Sequence, residues 1–382
     1  MSKSRKTIEK IKDNRVTYLY LTNKNYANTD YHEFVDALKN NTSIEMLSVE
    51  IGNEGYMMLA NVLKVNTTIT EIDMRSKQSK ISNKSYTTLV DTLKNNTSVT
   101  GISMDIGDYT ISMSMYEVTD NCNNFCKLLT EVLETNKHIT SIRIGDHISD
   151  EYCAKLVDIL KDIQITYLSL YCCDINTLTC KALGELLSVS KTLQSLHVSR
   201  CDIDYSSFIY ITEALKTNKF LITLGFNYCF GTDQTYMLYF SDALKVNNTL
   251  KELTLIDNCI QNSGAKVFAE ALKVNRTLEI LHQEDSFRDD IIVNALKFNP
   301  SIIALDSYTN DKYPYLKRNR EYKQKLESGE IKNINDIILE EEIEVKVEVK
   351  VNVDKKIDKK ADIKADVNWD VDWYVDCNNY DY

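Results

Sequence analysis

Three cysteines recur at one interval: Cys173, Cys201 and Cys229 stand 28 residues apart. Thiolates are preferred zinc ligands, so three in step invite a metal reading. The interval opposes it. Zinc motifs cluster their cysteines in short paired spacings, whereas one thiol per long period puts one in each turn of a repeated unit, where it packs or bonds turn backbone. Adjacent Cys172 and Cys173 are not a redox motif, and Cys122 and Cys126 lack a second pair. The five histidines, His32, His138, His147, His197 and His282, share no short motif. There is no G-x-x-x-x-G-K-[ST] phosphate loop, no G-x-S-x-G and no H-E-x-x-H. No metal, no cofactor and no catalytic residue is expected, and the chain reads as a non-enzyme.

Recognition chemistry remains. Tyrosine and arginine often anchor interfaces, because each couples a large contact area to directional hydrogen bonds. Arg75, Arg143, Tyr167, Tyr171, His197 and His282 are the candidate residues for binding a protein partner. Tyr167 and Tyr171, near Arg143 and His197, form the best anchor cluster. These residues are far apart in sequence, and they converge only if strands bring them to one face of a sheet.

Repetition supplies the strands. ALKVNNTLKELTL, from Ala243 to Leu255, returns as ALKVNRTLEILHQ from Ala271, ALKTNKFLITLGF from Ala214 and ALKNNTSIEMLSV from Ala37. Eleven segments follow L-x-x-L-x-L, with fourth-position residues Leu19, Leu47, Ile72, Ile102, Ile142, Leu168, Leu196, Leu224, Leu253, Leu281 and Leu305. Their spacing stays between 24 and 30 except for one step of 40, from Ile102 to Ile142; such regularity marks a repeat. Alternation sends the third, fifth and seventh residues of each strand to one face, where the candidates fall. Between strands, ten apolar pairs four residues apart, from Phe34 and Leu38 to Ile292 and Leu296, draw one buried stripe on a helix. A lysine follows the second member in eight of ten copies, suited to the negative end of the helix dipole. Three residues past that member, eight of ten copies carry Asn. Asn tolerates the left-handed conformation that closes a helix, which is its expected role here. Asn41, Asn66 and Asn96 open triplets with glycosylation spacing, but they fall at this turn and need no glycan to explain them.

Residues 1–12 read as a partial helix with Ile8 and Ile11 on its apolar side, and 13–308 as the repeat array. The long step holds an insertion from Asp105 to Cys122, a contact feature or a neutral loop expansion. Residues 309–339 contain a charged helix starting near Pro314, with Leu316 and Leu326 as packing residues, expected to cap the open end of the array. Residues 340–382 are low-complexity, and disorder is expected there. Within them, 366–382 holds five Asp, no Lys or Arg, and both tryptophans, as in linear interaction motifs.

A net charge of −11 argues against binding a phosphate backbone, so no nucleic acid is expected. No stretch approaches the ~18 apolar residues of a membrane span, and the basic N-terminus lacks the apolar run of a signal peptide. Ten irregularly spaced cysteines fit reduced thiols. A cytoplasmic monomer, free of membranes, is the expectation.

The pattern L-x-x-L-x-L-x-x-N/C-x-L followed by a helix resembles the ribonuclease-inhibitor type of leucine-rich repeat. The match covers roughly 13–308, with Cys173, Cys201, Cys229 and Asn258 at the ninth position. Lys24, Gly52, Lys77, Gly107 and His147 depart from it there. The resemblance implies an α/β solenoid, a horseshoe of about eleven parallel strands on the concave face with helices on the convex face. Similar arrays occur in ribonuclease inhibitors, NOD-like receptors, Ran GTPase-activating proteins and uncharacterised proteins of amoebae and giant viruses. The last group is nearest in composition; a viral source would place the chain in host cytoplasm. The implied function is a non-enzymatic scaffold that binds a protein partner through the concave strands. One alternative is a GTPase activator of the Ran-activator type, although no catalytic position can be matched residue by residue. Another is a substrate-recognition adaptor of a ubiquitin ligase, against which no F-box-like segment fits the N-terminal stretch.

Overall fold

The computed structural model describes residues 3–22, 31–76, 82–105, 126–145, 148–231, 233–283, 289–305 and 314–331. Nearly all of the expected insertion, His147 and the segment 340–382 lie outside the described residues.

Eleven strands form one parallel sheet in sequence order. They are β1 (Tyr18–Leu21), β2 (Met46–Ile51), β3 (Glu71–Ser76), β4 (Gly101–Asp105), β5 (Ser141–Gly145), β6 (Tyr167–Tyr171), β7 (Ser195–Ser199), β8 (Thr223–Asn227), β9 (Glu252–Thr254), β10 (Ile280–His282) and β11 (Ala304–Leu305). Helices alternate with them: α1 (Lys3–Lys12), α2 (Tyr31–Lys39), α3 (Asn53–Leu63), α4 (Asn83–Asn95), α5 (126–135), α6 (Asp150–Leu160), α7 (Thr177–Val189), α8 (Tyr205–Thr217), α9 (Thr235–Val246), α10 (Asn262–Val274), α11 (Asp289–Leu296) and α12 (Pro314–Glu327). The eleven fourth-position residues are direct neighbours in one ladder, from Leu19 opposite Leu47 to Leu281 opposite Leu305. All are buried, as are the ten i, i+4 helix pairs. A one-residue slip would turn every one of these side chains to the other face, so burial fixes the register.

Strands in unbroken order joined by right-handed crossovers carry every helix on the same side. The other face carries no element among the described residues. Strands repeat every ~4.8 Å and helix axes need ~10 Å, so the sheet bends toward its helix-free side.

The repeated asparagines do not take the left-handed conformation expected of them. Asn96, Asn218, Asn247 and Asn275 are extended, with φ of −79°, −63°, −67° and −68°. Their work is done by the side chain. The Asn275 amide donates to the carbonyls of Leu244 (2.9 Å) and Asn247 (3.1 Å) in the preceding repeat. Its oxygen accepts from the backbone N–H of Thr277 (3.0 Å) and Leu278 (2.8 Å), which lead into β10. Asn66, Asn247 and Asn299 bond in the same fourfold way. Each Asn therefore closes its own turn and receives the orphan carbonyls that end the previous helix. The ladder breaks at two positions, Ile163 and Ser190; at the first the Lys137 ammonium takes the Leu133 carbonyl instead, at 2.9 Å, and at the second the Ser190 hydroxyl accepts from the Leu193 N–H at 3.1 Å. Asn41, Asn66 and Asn96 are buried in this role, so the folded chain has no room for glycans on them.

Left-handed residues follow the strands: Cys172, Arg200 and Tyr228 directly after β6, β7 and β8, and Asp257 three positions after the end of β9, with φ between 49° and 56°. The first three donate their N–H to carbonyls of the next repeat, Ser199, Asn227 and Ile256. Those bonds offset the steric cost of ~1–2 kcal/mol for a non-glycine residue there.

α12 packs against the last repeat through Leu316, which is buried, while Leu326, expected to pack, is 38% exposed. It lies in the last turn of a helix that has already left the core. Asn319 of α12 donates to the carbonyls of Asn299 (2.8 Å) and Ile302 (2.7 Å), and Arg318 to that of Leu296 (2.9 Å). These two side chains replace the asparagine that a twelfth repeat would have contributed.

Candidate protein-binding face

On β6, Leu168 and Leu170 point into the core, which leaves Tyr167, Ser169 and Tyr171 half-buried on the helix-free face. The register sets Arg143 and His197 on either side of Ser169. Their side chains converge on Tyr167. The Arg143 guanidinium donates to the Tyr167 hydroxyl at 3.1 Å and lies 5.4 Å from its ring centre. The His197 ring sits on the other side, 5.6 Å from Tyr167 and tilted by 34°. Arg143 is exposed, and no described carboxylate pairs with it. Around the three side chains the face is nearly bare, with Ser141, Gly145, Ser169, Ser195 and Gly225 at neighbouring register positions. Gly225 is required by packing: a Cβ there would fall 2.7 Å from Nδ1 of His197.

Burial lowers the pKa of His197 below its ordinary 6.5, outweighing an upward pull from Glu252, and Arg143 adds a smaller lowering. The imidazole is therefore neutral at pH 7, and the cluster carries one positive charge. Aromatic faces flanking a guanidinium without a carboxylate suit an anionic group with apolar surface beside it.

Tyr171 stands at the other end of β6, above Gly145, rather than within the ring cluster. His282 is three strands from His197 in the same row, and its Nε2 lies 3.7 Å from Glu252. Arg75 sits on β3 between Glu50 and Asp105 in register, with its side chain outside the described residues. The structure thus gathers Arg143, Tyr167 and His197 and leaves Arg75 and His282 apart. Toward β2 and β3 the face is acidic: Tyr20 donates to Glu50 at 2.9 Å and Ser48 to Asp73 at 2.8 Å. The sequence pattern did not single out Arg200 and Tyr228, whose guanidinium and ring stack at 4.7 Å beside the face. They lie just past the strands, where alternation no longer predicts direction.

Below this face the repeated cysteines bond backbone. Cys201 Sγ reaches the Ser199 carbonyl at 3.2 Å, and Cys229 Sγ reaches those of Val198 (3.3 Å) and Asn227 (3.2 Å). In the next repeat Asn258 takes the position, accepting from Cys229 and Phe230 N–H at 2.9 Å each. Burial pushes the Cys229 thiol well above its usual range, as expected of a structural thiol.

A leucine-rich-repeat family model matches residues 189–207 and 246–269. The fold of the array is that of a leucine-rich-repeat solenoid. Among solved structures, the actin-binding site 2 of leiomodin-1 is similar at 21% identity over 39% of this chain and 93% of that one, with a TM-score of 0.35. The tropomodulin C-terminal domain of Caenorhabditis elegans is similar at 15% identity over 41% and 92%, with a TM-score of 0.31. The yeast Rad7–Elc1 complex is similar at 14% identity over 72% and 73%, with a TM-score of 0.45. No curated protein matches the chain. No helix among the described residues is long and apolar enough to cross a membrane.

Proposed function

We propose that this chain is a non-enzymatic scaffold that docks a protein partner on its concave strand face, with Arg143, Tyr167 and His197 as the anchor. The observation that carries this reading is the exposed Arg143 guanidinium, oriented by the Tyr167 hydroxyl and ring and paired with no described carboxylate. A cation held in place with no described carboxylate against it favours an acidic group on a partner, because its own conformational freedom is already spent. Tyr171, Arg75 and His282 belong to the outer contact area. The repeats are of the ribonuclease-inhibitor type, with 13–308 as the array and 309–339 as its C-terminal cap, and the chain works as a cytoplasmic monomer.

The test is partner capture. Affinity purification with mass spectrometry identifies the partner, and its affinity is then measured for the wild type and for Arg143→Ala, Tyr167→Ala, His197→Ala combined. Loss of an interface anchor costs at least ~2 kcal/mol, about 30-fold in affinity. An unchanged affinity with an intact fold would remove the anchor assignment, and stimulated GTP hydrolysis in a captured GTPase would replace the scaffold reading with the activator one.

A further inference from the structure

The cluster has a complementary segment on its own chain. Residues 366–382 contain Asp366, Asp370, Asp372, Asp376 and Asp381, no basic residue, and Trp369 and Trp373 on either side of Asp370 and Asp372. We propose that this segment docks in cis on Arg143, Tyr167 and His197, with aspartate carboxylates on the guanidinium and indoles against the rings. The proposal rests on the reading of this cluster as a docking site.

Three observations support it. The cluster offers one cation and two aromatic faces on a floor of serine and glycine, which leaves room for large indole rings. Glu50, Glu71 and Asp73 outnumber Arg75 at the β2–β3 end of the same face, so an acidic segment is repelled there and directed toward β5–β7. The chain is also long enough. Residues 332–365 can span up to ~110 Å when extended, and the five strand steps from β11 back to β6 cover only ~24 Å. Docking in cis would cover the anchor until a partner with higher affinity displaced the segment, and neutralising Asp370 and Asp372 would then tighten partner binding.

The chain has two tryptophans, both in this segment, so tryptophan emission from the full chain reports on the segment alone. The full chain is compared with a synthetic peptide of residues 366–382. The proposal predicts emission at shorter wavelength and higher anisotropy in the chain than in the peptide. It predicts reversion toward the peptide values in Arg143→Ala with Tyr167→Ala, in Asp370→Asn with Asp372→Asn, and at high salt. The shift is expected to persist on dilution; one that vanishes on dilution would assign the site to the segment of a second copy and overturn docking in cis. Emission equal to the free peptide, or a shift that ignores the Arg143 and Tyr167 substitutions, would also overturn it. Arg143 is exposed, so its replacement leaves the core unchanged, and circular dichroism verifies the fold. If the segment fails these tests while partner capture still depends on Arg143, the docking face stands and only its occupant changes.

Discussion

A buried asparagine brings two donors and an acceptor with two lone pairs, and Asn275 uses all of them at 2.8 to 3.1 Å. Asn275→Ala strands backbone groups of two repeats at once, and the expected loss is about 3 kcal/mol in urea unfolding. A loss near zero would show that water or a rotated turn replaces the side chain. The recurrence of Asn was plain in the sequence, but its role was not, because its partners are carbonyls one repeat earlier in the chain. At the anchor, His197 gives a pH signature. Its folded pKa lies below 6.5, so just below that value the unfolded chain holds more protons than the folded one. Stability therefore rises with pH through the window between the folded pKa and 6.5, and falls on acidification. In His197→Gln that part of the slope disappears, as urea midpoints on the two sides of 6.5 will show.

At the scale of elements, α12 completes the hydrogen bonds that the array leaves open. Replacing both Arg318 and Asn319 by Ala frees the carbonyls of Leu296, Asn299 and Ile302. The cost is about 3 kcal/mol, and hydrogen exchange is expected to show β10 and β11 losing protection while β6 to β8 keep theirs. Uniform exchange along the sheet would mean that α12 caps nothing. Lys323 of α12 also reaches Glu279 at 2.6 Å. Strand and helix positions were legible because each carries its own apolar period. Devices that join one repeat to the next were not. Asp150 accepts from the N–H of Asn176, Leu178 and Thr179 at the start of α7, and Gln234 from those of Gln261 and Gly264 at the start of α10. Such caps reach across some thirty residues, beyond any local motif. Alternation placed Arg143, Tyr167, His197, Arg75 and His282 alike on one face, but it carries no information on which strands are close enough to share a cluster, and the register sets Arg75 and His282 apart.

The whole molecule is a row of units, each held by its neighbours, so a defect at the centre should divide it. Phe208, Phe226, Phe230 and Tyr236 form the aromatic block of the central repeats, with Phe208 and Phe226 5.2 Å apart and Phe230 stacked on Tyr236 at 4.8 Å. Phe226→Ala leaves a cavity costing ~3–5 kcal/mol, and the expected outcome is two separated unfolding transitions in place of one. A single transition at lower denaturant would mean that the array couples over longer distances. At this scale the proposed function rests on a face that no other described element covers. A photo-crosslinking residue at Ser169, on the floor of the cluster, and one at Lys181, exposed on α7, sample the two sides of the solenoid. The scaffold account predicts a covalent adduct with the captured protein from position 169 and none from 181. An adduct from 181 alone would place recognition on the helices and contradict it.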